Sequence, residues 1–203
     1  MDFFLSIYRY IFFVFALLVS ACAIQPVTSP PTTSSINQQH LATLANIKAF
    51  SLKGRLGVVT NPRGFSGAID WQHQIDSDNI DVYSPLGGKV ANIVKMPSGV
   101  TLTTQDGHSI KALDAQTLTE TTLGWRLPLS GLSDWALGKP TASIIKTSTW
   151  DEQGRLLTLN QDGWDISYEN YTENNGLFLP NKIVLKSEKV NLKLLIDKWL
   201  SIN

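Results

Sequence analysis

From Phe50 to the C-terminus, apolar residues recur at every second position in short runs broken by turn signals. This period confines the chain to antiparallel β architecture. Phe50, Leu52, Leu56 and Val58 share one face, with Ser51, Lys53 and Arg55 on the other. Asn61-Pro62-Arg63-Gly64 marks a turn, and Phe65, Gly67, Ile69 and Trp71 then share a face, so the two runs predict a hairpin. Further short strands are expected at 79–84, 89–96, 100–104 and 109–112, separated by Pro97-Ser98-Gly99 and Asp106-Gly107 among others. Strands resume at 142–150, 155–161, 164–171, 181–187 and 190–199, with Asp162-Gly163 as a hairpin signal. The last alternates Val190, Leu192, Leu194 and Ile196 against Asn191, Lys193 and Asp197.

Two segments break the period. Ile36, Leu41, Leu44 and Ile47 fit a short amphipathic helix ahead of the first strand. Between the sixth and seventh strands, Asp114 is a candidate N-cap with Gly124 as a stop. A second short helix is expected from about Ser130 to Leu137, ended by Gly138 with Pro140 beyond. About eleven consecutive antiparallel strands with a helical insertion roll into a barrel or pack as a sandwich. The strands are too short and irregular for a transmembrane barrel and lack an aromatic girdle.

The N-terminus carries a different signal. An apolar run from Ile11 to Val19 ends in Leu18-Val19-Ser20-Ala21-Cys22, and Cys22 is the only cysteine. Small residues before a cysteine after a short hydrophobic run resemble a bacterial lipobox. Residues 1–21 then form a signal peptide, whose apolar run is too short for a spanning helix of about 20 residues, and Cys22 is the lipid attachment point. Ala23 rather than Asp follows the cysteine, which in lipoproteins of this type points to the outer membrane. Residues 23–35 are uncharged and rich in Pro, Ser and Thr. With Cys22 they form a lipidated tether over 22–35, spanning about 40 Å at roughly 3 Å per residue. A single domain over 36–203 follows. The mature chain keeps 16 basic and 16 acidic residues, because residues 1–21 hold only Arg9 and Asp2. That balance argues against nucleic acid as a partner and against electrostatic docking on anionic lipid.

Catalytic chemistry is not proposed by any motif. His40, His73 and His108 have no ligand spacing and read as surface residues. Gly64-Phe65-Ser66-Gly67 lacks the nucleophile-elbow spacing, and Gly87-Gly88-Lys89 lacks an upstream glycine at Walker spacing. Asp106, Asp151 and Asp162 sit where turn-making explains them. No cofactor and no metal are expected. An apolar pocket inside a half-open barrel remains, against the alternative of a filled core.

Several segments in order resemble the outer-membrane lipoprotein receptor family LolB. They are Gly54-Arg55-Leu56-Gly57-Val58, Phe65-Ser66-Gly67 with Trp71, Ser84-Pro85-Leu86-Gly87 and Leu123-Gly124-Trp125-Arg126-Leu127-Pro128. Trp135 with Gly138, Gly163-Trp164-Asp165-Ile166-Ser167-Tyr168 with Tyr171, Leu179-Pro180-Asn181-Lys182, and Leu192-Lys193-Leu194 before Trp199 complete the match over 40–203. The resemblance implies a mainly β fold, an unclosed antiparallel barrel of about eleven strands with a lid of short α-helices enclosing a hydrophobic cavity. It implies a lipid-anchored, non-enzymatic monomer that accepts lipoproteins from the periplasmic carrier LolA and inserts them into the outer membrane of a Gram-negative bacterium. In that family a leucine in the Pro-Leu-Gly loop protrudes and serves insertion; here the loop is Pro85, Leu86 and Gly87. Cavity-lining candidates are Leu52, Leu56, Ile69, Trp71, Ile80, Val82 and Ile93, which would hold acyl chains. The rival readings are a lipid-anchored binding or scaffold protein for another amphiphile, and an envelope hydrolase.

Overall fold

The computed structural model describes residues 33–60, 64–123 and 129–203. Helix α1 (Thr33–Ala45) precedes six strands: β1 (Phe50–Thr60), β2 (Gly64–Gln74), β3 (Ser77–Tyr83), β4 (Lys89–Met96), β5 (Gly99–Thr104) and β6 (Ser109–Ala112). Helices α2 (Ala115–Leu123) and α3 (Leu129–Ala136) lead into β7 (Ile145–Trp150), β8 (Leu156–Gln161), β9 (Trp164–Asn174), β10 (Leu177–Lys186) and β11 (Val190–Ile202). All eleven strands form one antiparallel sheet in the order β6-β5-β4-β3-β2-β1-β11-β10-β9-β8-β7. Every ladder but one joins strands consecutive in sequence, and the exception, β1 against β11, puts the two ends of the sheet-forming chain at its centre.

A flat sheet of eleven strands would be about 50 Å wide at roughly 4.8 Å per strand. Instead, buried side chains of β1–β3 and of β8–β11 join the helix residues Leu118, Leu129, Leu132 and Trp135 in one core cluster. The sheet is therefore rolled round that core. β6 and β7 do not pair with each other, so the barrel is unclosed. Helix α2 lies against β5, β6 and α3 on that side.

The parity read from sequence holds through most of the sheet; the β1–β11, β3–β4 and β7–β8 ladders carry register shifts, and the first of these redirects a core side chain. Register shifts along the β1–β11 ladder leave Asp197 and Leu200 without β1 partners. An extra residue reverses which face the following side chains take. Trp199, on the outward parity set by Val190 to Ile196, is thus turned into the core. Asp197 instead points out, where Arg55 Nη2 donates to its Oδ1 at 2.8 Å. Gly54 sits opposite this irregularity, and a Cβ there would lie 2.4 Å from the Leu195 carbonyl oxygen. Only glycine permits so close a strand approach.

Both inserted helices carry the expected caps. Thr117 N–H donates to Asp114 Oδ1 at 2.7 Å at the start of α2. After α3, Gly138 has φ 78°, with Gly138 N–H donating to the Trp135 carbonyl and Lys139 N–H to the Asp134 carbonyl. That is a Schellman stop, and it needs a left-handed residue at its Gly138 position. The predicted Gly124 stop and the turn residues 61–63 lie outside the described residues.

Several boundaries move. Residues 33–35, read as the end of the tether, form the first turn of α1. Strand β7 begins at Ile145 rather than 142, because Thr141 and Ser143 are bound to a buried side chain described below. Strand β10 begins at Leu177 and runs through Pro180. Proline is tolerated there because β11 pairs with β10 only from Lys182 onward, so no ladder bond is asked of the missing N–H. His40 and His73, expected at the surface, are half-buried; burial lowers the His40 pKa, with Asp151 opposing. Phe65 keeps the inward parity but is 40% exposed, since it sits at the strand end beyond the core.

Candidate functional site

The inner face of the sheet carries most of the buried apolar residues. Leu52, Ile69, Trp71, Ile80 and Val82 are buried on it, and Leu56 and Ile93 are half-buried against it. All seven predicted lining residues therefore face the same interior. Four of them, Leu52, Trp71, Ile80 and Ile93, form a row across β1, β2, β3 and β4, each paired with the next. The interior also includes residues not singled out from sequence: Leu179, Ile183 and Leu185 on β10, Trp164, Ile166 and Tyr168 on β9, and Leu129, Leu132 and Trp135 on α3. The strand residues had a signal, their alternation. The helix residues had none that fixed which way they face.

Two buried polar side chains organise this interior. Asp78 is 2% exposed and receives three groups: Trp71 Nε1 donates to Oδ1 at 2.9 Å, His73 Nδ1 lies 2.7 Å from Oδ1, and Lys95 Nζ lies 3.0 Å from Oδ2. Phe50 packs edge-on against both Trp71 and Trp199, so the cluster is an aromatic wall tied to one carboxylate. Burial alone would raise the Asp78 pKa. The bonds from His73 and Trp71 and the Lys95 ammonium outweigh it and hold the carboxyl below the usual value. A depressed folded pKa stabilises the fold above the unfolded carboxyl value of about 3.9, and that contribution is lost as pH falls through the folded value. The stability advantage of wild type over Asp78→Asn is therefore expected to shrink on acidification below about pH 4, measured as urea midpoints across pH 2–7. An advantage that stays constant with pH would show that the carboxylate charge is not involved.

Gln161 is the second organiser. Its Oε1 accepts from Trp135 Nε1 at 3.1 Å and Thr141 N–H at 3.0 Å, while its Nε2 donates to the carbonyls of Thr141 and Ser143. One fully buried amide thus ties α3 and the segment after it to the end of β8. Its position on the inward parity after Leu159 was readable; its partners were not.

Five buried side-chain atoms have no hydrogen-bond partner among the described residues, on Asn37, His40, Asn160, Tyr168 and Trp199; the Tyr168 hydroxyl and Trp199 Nε1 belong to residues of the apolar core. Burial pushes the Tyr168 pKa well above its ordinary value, so it stays a donor.

The predicted loop behaves differently from the interior. Gly87 N–H donates to the Ser84 carbonyl and Ser84 N–H to the Gly88 carbonyl, closing a tight turn in which Gly87 has φ 87°. Pro85 and Gly87 are exposed, and Leu86 at its tip is 98% exposed. Cys22 lies outside the described residues. Two pockets, of about 510 and 530 Å³, lie away from the seven lining candidates. The first opens between the β4–β5 turn and the start of α2, beside Lys95, Met96 and Leu113. The second lies on the outer face among Asn79, Asp81, Asn92 and Thr103. Among the described residues, no cluster of His, Cys, Asp and Glu is placed to hold a metal.

A family model described as "LolB: Outer membrane lipoprotein LolB" matches residues 48–199. An outer-membrane lipoprotein LolB of Nitrosomonas europaea is 35% identical over 187 residues, covering 90% of this chain and 88% of the relative. One from Pseudomonas putida is 32% identical over 160 residues, covering 79% of this chain and 78% of the relative. Among solved structures, a LolA superfamily protein from Nitrosomonas europaea aligns with a TM-score of 0.46 at 9% identity, covering 80% of this chain and 92% of that one. With an unclosed eleven-stranded sheet round an apolar interior and matches of this extent, the chain belongs to the LolB family of outer-membrane lipoproteins.

Proposed function

We propose that this protein is the outer-membrane receptor of lipoprotein localisation: it takes lipoproteins from a LolA-type periplasmic carrier into its apolar interior and passes them to the outer membrane. The observation that carries this reading is the continuous apolar face shared by the strands and by helices α2 and α3. Each acyl methylene withdrawn from water contributes about 0.8 kcal/mol, so one sixteen-carbon chain is held by roughly 12 kcal/mol. Release through water is correspondingly slow, and direct handover between two apolar interiors avoids that step. Leu52, Leu56, Ile69, Trp71, Ile80, Val82 and Ile93 line the acyl site in this reading. They are packed in the core here, so a chain enters when α2 and α3 lift, a movement that the unclosed β6–β7 side leaves room for. Tyr168 and Trp199 would then find acceptors in the ester carbonyls that an acyl chain brings. Cys22 carries the lipid anchor, the residues from 23 to 32 lead from it to the domain, and Leu86 engages the bilayer at delivery.

The test is acceptance. The full-length protein in vesicles is mixed with a purified carrier–lipoprotein complex, and the lipoprotein is followed by co-flotation. We expect it to leave the carrier only when the receptor is present. A lipoprotein that stays on the carrier would sink this function. Mass spectrometry of the native N-terminal peptide checks the anchor independently, and an unmodified Cys22 would remove it.

A further inference from the structure

Leu86 is not the only aliphatic side chain held out at its end of the sheet. Ile144, just ahead of β7, is 87% exposed. The ladders fix its place. Ile145 pairs with Gln161 and Gln161 with Trp164, beside the β8–β9 turn. That turn lies at the same end as the β10–β11 turn, the end of β1 and the β3–β4 loop that carries Leu86. Seven ladder steps separate β3 from β7, so in a rolled sheet the two tips flank the barrel mouth from different sides.

A lone surface aliphatic needs no explanation. Ile144 differs because its exposure is enforced. The Gln161 amide binds the backbone at Thr141 and at Ser143, Thr141 Oγ1 lies 2.8 Å from Ser143 Oγ, and Pro140 precedes them. Chain so fixed through Ser143 cannot fold Ile144 back onto the core. Charge points the same way. No carboxylate occurs in the sequence from 140 through 150, and Lys146 follows Ile144; at the other tip Lys89 follows Leu86 and is paired with Asp81, its Nζ 2.5 Å from Oδ1. An exposed aliphatic tip with a lysine two residues on is matched to a bilayer interface, where the side chain enters the acyl boundary and the ammonium stays among the headgroups.

We infer that Ile144 is a second bilayer contact, which with Leu86 seats the barrel mouth on the membrane at two points. This rests on the receptor reading given above, in which Leu86 meets the bilayer. A single tip would leave the domain free to rock; two tips on different sides of the mouth orient it so that cargo leaves toward lipid.

Ile144→Cys, Leu86→Cys and Ile75→Cys are labelled with a polarity-sensitive fluorophore in the full-length chain, in phosphatidylethanolamine–phosphatidylglycerol vesicles containing bromolipid. The unsubstituted chain is the blank for labelling at Cys22. Ile75, 66% exposed in the β2–β3 turn at the opposite end, is the control. Quenching is expected at 144 and 86 and not at 75. Ile144→Glu and Ile144→Ser should accept lipoprotein from the carrier at the wild-type rate, with the glutamate variant delivering it at least threefold more slowly. Quenching at 86 but not at 144 overturns this inference and leaves the receptor reading standing. Quenching at neither overturns this inference together with the bilayer role of Leu86. Reduced acceptance in Ile144→Glu with an unquenched label at 144 also overturns it, by making the tip a carrier contact.

Discussion

Leu86→Glu is expected to fold as wild type, to accept lipoprotein from the carrier at the wild-type rate, and to deliver it to vesicles or outer membranes about tenfold more slowly or worse. Folding is spared because Leu86 is almost wholly exposed and its turn is closed by backbone bonds that no side chain at this position enters. Acceptance is spared because the apolar interior is built elsewhere. Delivery is affected because burying a leucine contributes roughly 1.5–3 kcal/mol, and each 1.4 kcal/mol is a factor of ten. Glutamate replaces that gain with a desolvation cost. Parallel assays of carrier release and vesicle incorporation, at matched protein levels, measure the two steps separately. Equal delivery by variant and wild type would remove the loop from the insertion step.

Trp71→Ala should cost about 3–5 kcal/mol of stability, from the cavity left by a large buried side chain. In a domain of this size that is a fall of about 10 °C in melting temperature. Two features of the site push toward the upper end. Trp71 packs edge-on against Phe50, and its N–H is one of the groups that compensate the buried Asp78 carboxylate. Trp71→Phe keeps most of the ring packing and loses only the donor, so its cost is smaller. Thermal unfolding followed by circular dichroism distinguishes the three proteins. If the interior takes acyl chains as proposed, the tryptophan emission change on adding a fatty-acid probe is smaller in Trp71→Phe than in wild type. An unchanged emission response would place Trp71 outside the acyl site, whatever its effect on stability.

The two variants probe opposite properties of one sheet, and sequence was informative about them to different extents. The period-two runs from Phe50 onward already separated the faces, since a strand has only two and its buried one must be apolar. Turn chemistry at Asp162-Gly163 and Asp106-Gly107 counted the strands, and the Pro85-Leu86-Gly87 turn put an aliphatic residue where no core reaches. Local pattern also located the two inserted helices, because an Asp cap and a left-handed Gly138 act within a few residues.

What local pattern could not supply was anything that depends on a partner far along the chain. Trp199 breaks the parity of its strand, and only the irregular pairing of β11 with β1, about 150 residues away, turns it inward. Asp78 lies on the apolar parity with Ile80 and Val82; whether a carboxylate is tolerable there is decided by Trp71, His73 and Lys95 arriving from β2 and β4. Gln161 looks like one polar residue at a strand end until the fold brings Trp135, Thr141 and Ser143 to its amide. Ile144 was read as part of a strand, and it is that amide which keeps the strand from starting there and holds the side chain out. Sequence alone determined the class of fold, the two alternating faces of each strand and the turn that carries Leu86, because these follow from the period and turn chemistry of neighbouring residues. The tertiary structure alone decided which polar groups the core accepts and which aliphatic groups it excludes, because burial and hydrogen-bond satisfaction are set by residues that meet only when the sheet has rolled.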